Sequence, residues 1–159
     1  MWCENEQVTL FGLAHTQQKI MNSEFKIEIS SSFEELWRYN FTIVCACYNE
    51  QGERTDFVSA ESIAAPSGSK LRQAPSGFEG PRKLQLTTTP CHSIVAYVYV
   101  VTNTEPISNV IADSPAFDLK LKVSIGRNAI YNKVHKISQW GGDSIELKIQ
   151  RSRNHCTSW

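Results

Sequence analysis

The chain has 159 residues, few enough for one domain and enough to bury a core without the help of disulfides or metal. A hydrophobic share of 41% and a charged share of 20% exclude disorder along most of it. Sixteen basic and sixteen acidic side chains cancel, which excludes the global field that holds a polyanion, so no nucleic acid is expected as partner, although a local basic patch stays open.

The opening "MWCENEQVTLFGLAH" has no basic lead, carries Glu4 and Glu6, and has only a short apolar stretch, so no export signal is expected. No segment approaches the roughly 20 apolar residues of a membrane span. The expectation is a cytoplasmic protein without a transmembrane segment. Five cysteines, an odd number, fit free thiols in a reducing compartment, with a Cys3–Cys156 pairing left open. The Asn40-Phe41-Thr42 acceptor pattern would matter only in a secreted chain.

Where a period can be read it is two, which predicts strands. After a weak strand at 7–13, "FKIEIS" sets Phe25, Ile27 and Ile29 inward against Lys26 and Glu28. Ser32 with Glu35 three residues later is the one helix-cap signal, in a stretch whose parity fits strand equally well. From 37 to 48, Trp37, Tyr39, Phe41, Ile43, Cys45 and Cys47 share one face, and Arg38, Asn40, Thr42, Val44, Ala46 and Tyr48 the other. Both cysteines thus continue an apolar face. Gly52 in "YNEQGERTDF" predicts a turn into a strand at about 55–63.

Residues 65–82 hold three of the six prolines and three of the eight glycines and repeat Ala-Pro-Ser-Gly, which predicts a long exposed loop. A weaker strand follows at 83–88. Ile94 to Val101 is apolar on both parities and predicts a central strand covered on both sides. Phe117, Leu119, Leu121, Val123 and Ile125 alternate with polar residues, a strand with one wet face. A weak strand at 129–138, a turn at Gly141-Gly142 and a strand through Ile145, Leu147 and Ile149 complete the pattern. The tail from 151 to 159 has no period and is expected to be flexible, leaving 1–150 as one domain.

About eight short strands without interleaved helical patterns predict an all-β fold, a two-layer antiparallel β-sandwich, with a closed barrel as the alternative. The arrangement is similar in a general way to immunoglobulin-like or transthyretin-like sandwiches, although the Cys…Trp…Cys framework of true immunoglobulin domains is missing.

Zinc would draw on Cys45, Cys47, Cys91 and His92, but Cys-Ala-Cys on a strand spaces its thiols about 7 Å apart along the chain instead of on a knuckle. Cys91, after Pro90, is the best placed nucleophile, with His15, His135 or His155 as conceivable bases, giving a cysteine-dependent enzyme as one alternative. Elbow, phosphate-loop and dinucleotide motifs are missing, so no cofactor is expected. Glu50, Glu53, Asp56, Asp113 and Asp143 could serve calcium in a membrane- or glycan-binding sandwich, the other alternative. The leading expectation is a non-catalytic module, for example a bacterial accessory or immunity-type protein, that binds another protein through loops or an edge strand. The residues singled out are Leu71, Arg72, Phe78 and Arg82 in the loop segment and Trp140 beside the double glycine.

Overall fold

The computed structural model describes residues 22–151. It is a β-sandwich of two four-stranded antiparallel sheets, built from β1 (Phe25–Ser31), β2 (Tyr39–Tyr48), β3 (Arg54–Ser62), β4 (Arg82–Thr87), β5 (Ser93–Thr102), β6 (Phe117–Ile125), β7 (Asn128–Ile137) and β8 (Asp143–Gln150). Sheet I runs β4-β1-β6-β7 and sheet II runs β3-β2-β5-β8. Because β3 packs against β4, the edges of β7 and β8, unpaired among the described residues, share the opposite side of the molecule. Single 3-10 turns at Leu36–Arg38 and Ile111–Asp113 are the helical pieces among the described residues. The expected strand at 7–13 and the expected tail lie outside the described residues, apart from Arg151.

The alternating residues do what their period demands. Phe25, Ile27 and Ile29 of β1, Ile43, Cys45 and Cys47 of β2, and Leu119, Leu121 and Val123 of β6 are buried between the sheets. Cys45 and Cys47 therefore sit in the core as small apolar residues. At one end Phe33 stacks on Phe117, with ring centroids 4.6 Å apart, and Tyr39 tilts against Phe117 at 4.9 Å.

Three expectations need correction. β5 lies between β2 and β8, as expected of a central strand, but among the described residues it is covered on one face only. Ile94, Ala96, Val98 and Val100 are buried, whereas Tyr99 and Val101 are exposed on the outer face of sheet II. Apolarity on both parities here signals an apolar outer surface, with no second covering layer among the described residues. The second correction concerns Trp37 and Arg38, which belong to the 3-10 turn before β2. Arg38, assigned by alternation to the wet face, is 0% exposed, and Asn40 is also buried. Third, Arg82, counted as part of the loop, opens β4.

Two glycines at left-handed φ are used differently. Gly52 (φ 78°) closes the β2–β3 hairpin in open space, where Asn49 Oδ1 accepts from the amides of Gln51 and Glu53. Gly142 (φ 66°) precedes β8, and a Cβ there would stand 1.9 Å from the carbonyl oxygen of Val100. Replacement at Gly52 therefore strains only its own backbone, whereas replacement at Gly142 must also move β5 or β8. Gly142→Ala is expected to lower stability by about 2–4 kcal/mol and Gly52→Ala by about 1 kcal/mol. Urea unfolding with an unchanged m-value checks this, and equal losses would contradict the assignment.

Candidate functional site

The start of β2 is a polar junction. Arg38 is enclosed with its guanidinium 5.5 Å from the ring centre of Tyr39 and 6.0 Å from that of Phe33. Its Nη2 donates to Glu35 Oε2 (2.9 Å) and to Gln139 Oε1 (2.5 Å), while Nε and Nη1 find no acceptor among the described residues. Gln139 in turn donates from Nε2 to the Pro115 carbonyl, and its own carbonyl accepts from the Tyr39 hydroxyl at 2.9 Å. Burial pushes the Tyr39 hydroxyl up to about 12.

The same turn fixes the end of β5 and the start of the β3–β4 connection, residues 63–81. The amides of Asn103 and Thr104 donate to the Arg38 carbonyl. Asn103 Nδ2 donates to the Trp37 carbonyl and to Asn40 Oδ1, and Asn40 also accepts from the Ala64 amide and donates to the Ala65 carbonyl. Ser69 N donates to the Asn103 carbonyl at 2.9 Å. Three chain segments far apart in sequence are thus pinned to one corner by hydrogen bonds that burial makes costly to lose.

An open cleft of about 920 Å³ forms over that corner, between residues 68–72, residues 102–107 and Trp140. Leu71 and Ile107 supply aliphatic surface, Trp140 an indole, Lys70 and Arg72 positive charge and Glu105 one negative charge. Ile107 is 73% exposed and Trp140 37% exposed. Thr102 lines the cleft, and its Oγ1 has no partner among the described residues. The lining thus sets three apolar side chains among mostly polar and charged ones.

Of the five residues singled out in the sequence, Leu71, Arg72 and Trp140 meet at this cleft, and Phe78 and Arg82 do not. Those two pair with each other instead. The Arg82 guanidinium lies over the rings of Phe78 (4.6 Å) and Phe41 (5.3 Å) and donates to the carbonyls of Leu36, Tyr39 and Ser62. Arg82 and Phe78 therefore fasten the connection to the sandwich. Ile107, Thr102 and Glu105 carry no motif in the sequence, and only the fold brings them to Trp140.

The described cysteines lie in the interior. Cys91 is buried, pairs by a backbone bridge with Ser23, and lies 3.9 Å from Thr88 Oγ1. Burial, reinforced by the neighbouring Cys47, pushes Cys91 up to about 12, and burial with the same neighbour does so for Cys45. Such thiols stay neutral, and the thiolate is the nucleophile and the metal ligand. Among the described residues no group of three or more His, Cys, Asp or Glu side chains is arranged to hold a metal ion. The proposed calcium carboxylates are separately engaged: Glu53 accepts from Asn49, Asp56 from Thr89 and Asp113 from Ser108. Of the conceivable bases, His135 bonds Tyr131 on β7, and His15 and His155 lie outside the described residues.

Charge is uneven although the total cancels. The outer face of sheet I carries Lys26, Lys83, Lys120, Lys122 and Lys136, with Glu28 held between Lys83 (2.7 Å) and Lys26 (3.2 Å) and Asp118 bonded to Lys136. The Lys83 contact holds the Glu28 carboxyl below its ordinary range. Among the described residues, no helix is long and apolar enough to cross a membrane.

No protein-family model matches the chain, and no curated protein matches it. Among solved structures it is similar to the crystal structure of a domain of unknown function, DUF4425, from Bacteroides vulgatus, with a TM-score of 0.44 and 13% identity over 83% of this chain and 98% of that one. A likeness so distant identifies no activity.

Two predictions follow from the junction and the thiols. Gln139→Ala leaves the enclosed guanidinium short of its buried acceptor and is expected to cost about 3 kcal/mol, whereas Glu35→Gln, at a partly exposed carboxylate, costs less than about 1 kcal/mol. Chemical denaturation of the two variants compares them directly. Because Cys45, Cys91 and Tyr39 hold their protons more tightly folded than unfolded, their contribution to stability is complete below about pH 9 and is lost as pH rises toward about 12. The urea midpoint should therefore fall through that interval, and Cys45→Ala with Cys91→Ala should flatten the fall.

Proposed function

We propose that the chain is a non-catalytic binding module and that the cleft at the Arg38 corner is where it takes a segment of another protein. What supports this reading is the convergence on one concave surface of Leu71, Ile107 and Trp140, three apolar side chains left accessible, with Lys70 and Arg72 beside them. Tryptophan and arginine are the residues in which binding energy tends to concentrate, and a rigid frame below them lowers the ordering cost on association. The partner segment this chemistry suits carries an aliphatic or aromatic anchor for Leu71 and Trp140 and a carboxylate for Arg72. The neutral, enclosed state of Cys91 weighs against the cysteine-dependent alternative.

A photo-crosslinking residue at Ile107 tests the assignment. It is expected to capture a discrete partner in lysate of the source cells, and Trp140→Ala together with Arg72→Glu should reduce the adduct at least tenfold while the melting temperature moves little. The same crosslinker at Asn132, on the exposed β7 edge, should not give that adduct. Equal capture from both positions, or capture that survives the double substitution, rules the cleft out.

A further inference from the structure

The four sheet edges are not guarded alike. An open edge presents unpaired backbone N–H and C=O groups and is normally blunted by proline, bulges, inward charges or short length. β3 carries a bulge opposite Cys47/Tyr48 and sets Asp56 opposite Cys47 on the inner parity. β4 is six residues long, with Pro81 just before it and Lys83 within it. β7 is bulged against Val123/Ser124 and has Lys133 opposite the buried Leu121. β8 is the least guarded of the four among the described residues: it pairs with β5 in unbroken register and has no proline, its one inner-parity charge, Asp143, stands at its first residue, and the rest of that row is Ile145, Leu147 and Ile149. Its outer row holds Glu146 and Lys148, 3.0 Å apart, with Glu146 also accepting from the Tyr97 hydroxyl.

We propose that β8 is the contact of a two-fold dimer, pairing antiparallel with β8 of a second copy about Leu147. Directly opposed residues in an antiparallel pair share a face, so a two-fold axis normal to the sheet must pass through a residue position. Centred on Leu147, the pairing sets Glu146 opposite Lys148 of the second copy and Lys148 opposite its Glu146, with Ile145 opposite Ile149 on the inner face. The two intrachain pairs then close into a ring of four charges of alternating sign. Moving the centre to 146 opposes glutamate to glutamate, and moving it to 148 opposes lysine to lysine, both unfavourable, while centres further out shorten the ladder. One register of the strand is thus self-complementary, and its neighbours are self-repelling. The β7 edges lie on the same side of the molecule, so the same two-fold brings them toward each other and the contact extends beyond the strand pair, toward the roughly 1,200 Å² of a stable interface.

Sedimentation of the unmodified protein is expected to give twice the chain mass, and carbodiimide coupling should yield a covalent dimer linked between Glu146 and Lys148. Glu146→Lys makes the outer pair wholly positive and Lys148→Glu makes it wholly negative, so each variant alone should sediment as a monomer while melting as a folded protein. Mixed in equal amounts, the two variants should recover the dimer, because every opposed pair is then of opposite sign. A monomeric unmodified protein overturns the proposal, as does a dimer that persists in both variants, which would place the interface on another surface. Failure of the mixture to associate also overturns it.

Discussion

A single enclosed cation organises one end of this molecule. The Arg38 guanidinium cannot reach water, so its charge must be met by Glu35, Gln139 and two aromatic faces, and that requirement fixes where the β7–β8 turn approaches β2. The backbone of the same residue receives the chain as it leaves β5. A buried ion of this kind contributes little net stability, because desolvation offsets most of the attraction, but any arrangement that separates it from its partners is strongly disfavoured. Its effect is to select one corner geometry from several that would pack almost as well. The cleft depends on that selection, because Trp140 directly follows Gln139, and residues 68–72 are tied to Asn103.

Much of the frame was legible because it depends on nothing but the period of two. The inward rows of β1, β2, β6 and β8 alternate cleanly, and the turns at Gly52 and Gly142 both sit at a left-handed φ that glycine signals in sequence. The corner was illegible for the opposite reason. Alternation places Arg38 and Asn40 among the outward residues, and only the arrival of segments about 60 and 100 residues distant turns them into interior groups. β5 misled in another way: apolar residues on both parities resemble a doubly covered strand, yet its outer row belongs to an open surface on which Tyr97 and Tyr99 lie side by side, 6.1 Å apart. Composition reports that a surface is apolar and not what covers it.

The loop segment shows how far compositional reasoning reaches. Its prolines and glycines mark it as irregular, and three of the five side chains chosen for binding do converge. Phe78 and Arg82 look equally suited in sequence, an aromatic and a cation at a Pro/Gly-rich bend. In space they are partners of each other, with Arg82 spreading its donors over three carbonyls of the sandwich. Both pairs use the same residue types, one to fasten the connection and the other to remain accessible.

The two ends of the described chain meet. Ser23 bridges to Cys91 just before β5, and Arg151, following β8, donates to Ser23 Oγ at 2.8 Å. The cleft lies past the far end of β5, a ten-residue strand spanning roughly 33 Å. Residues 23 and 151 therefore mark one pole of the sandwich and the indole of Trp140 the other, so the strands carry the corner geometry a full strand length away from that seam.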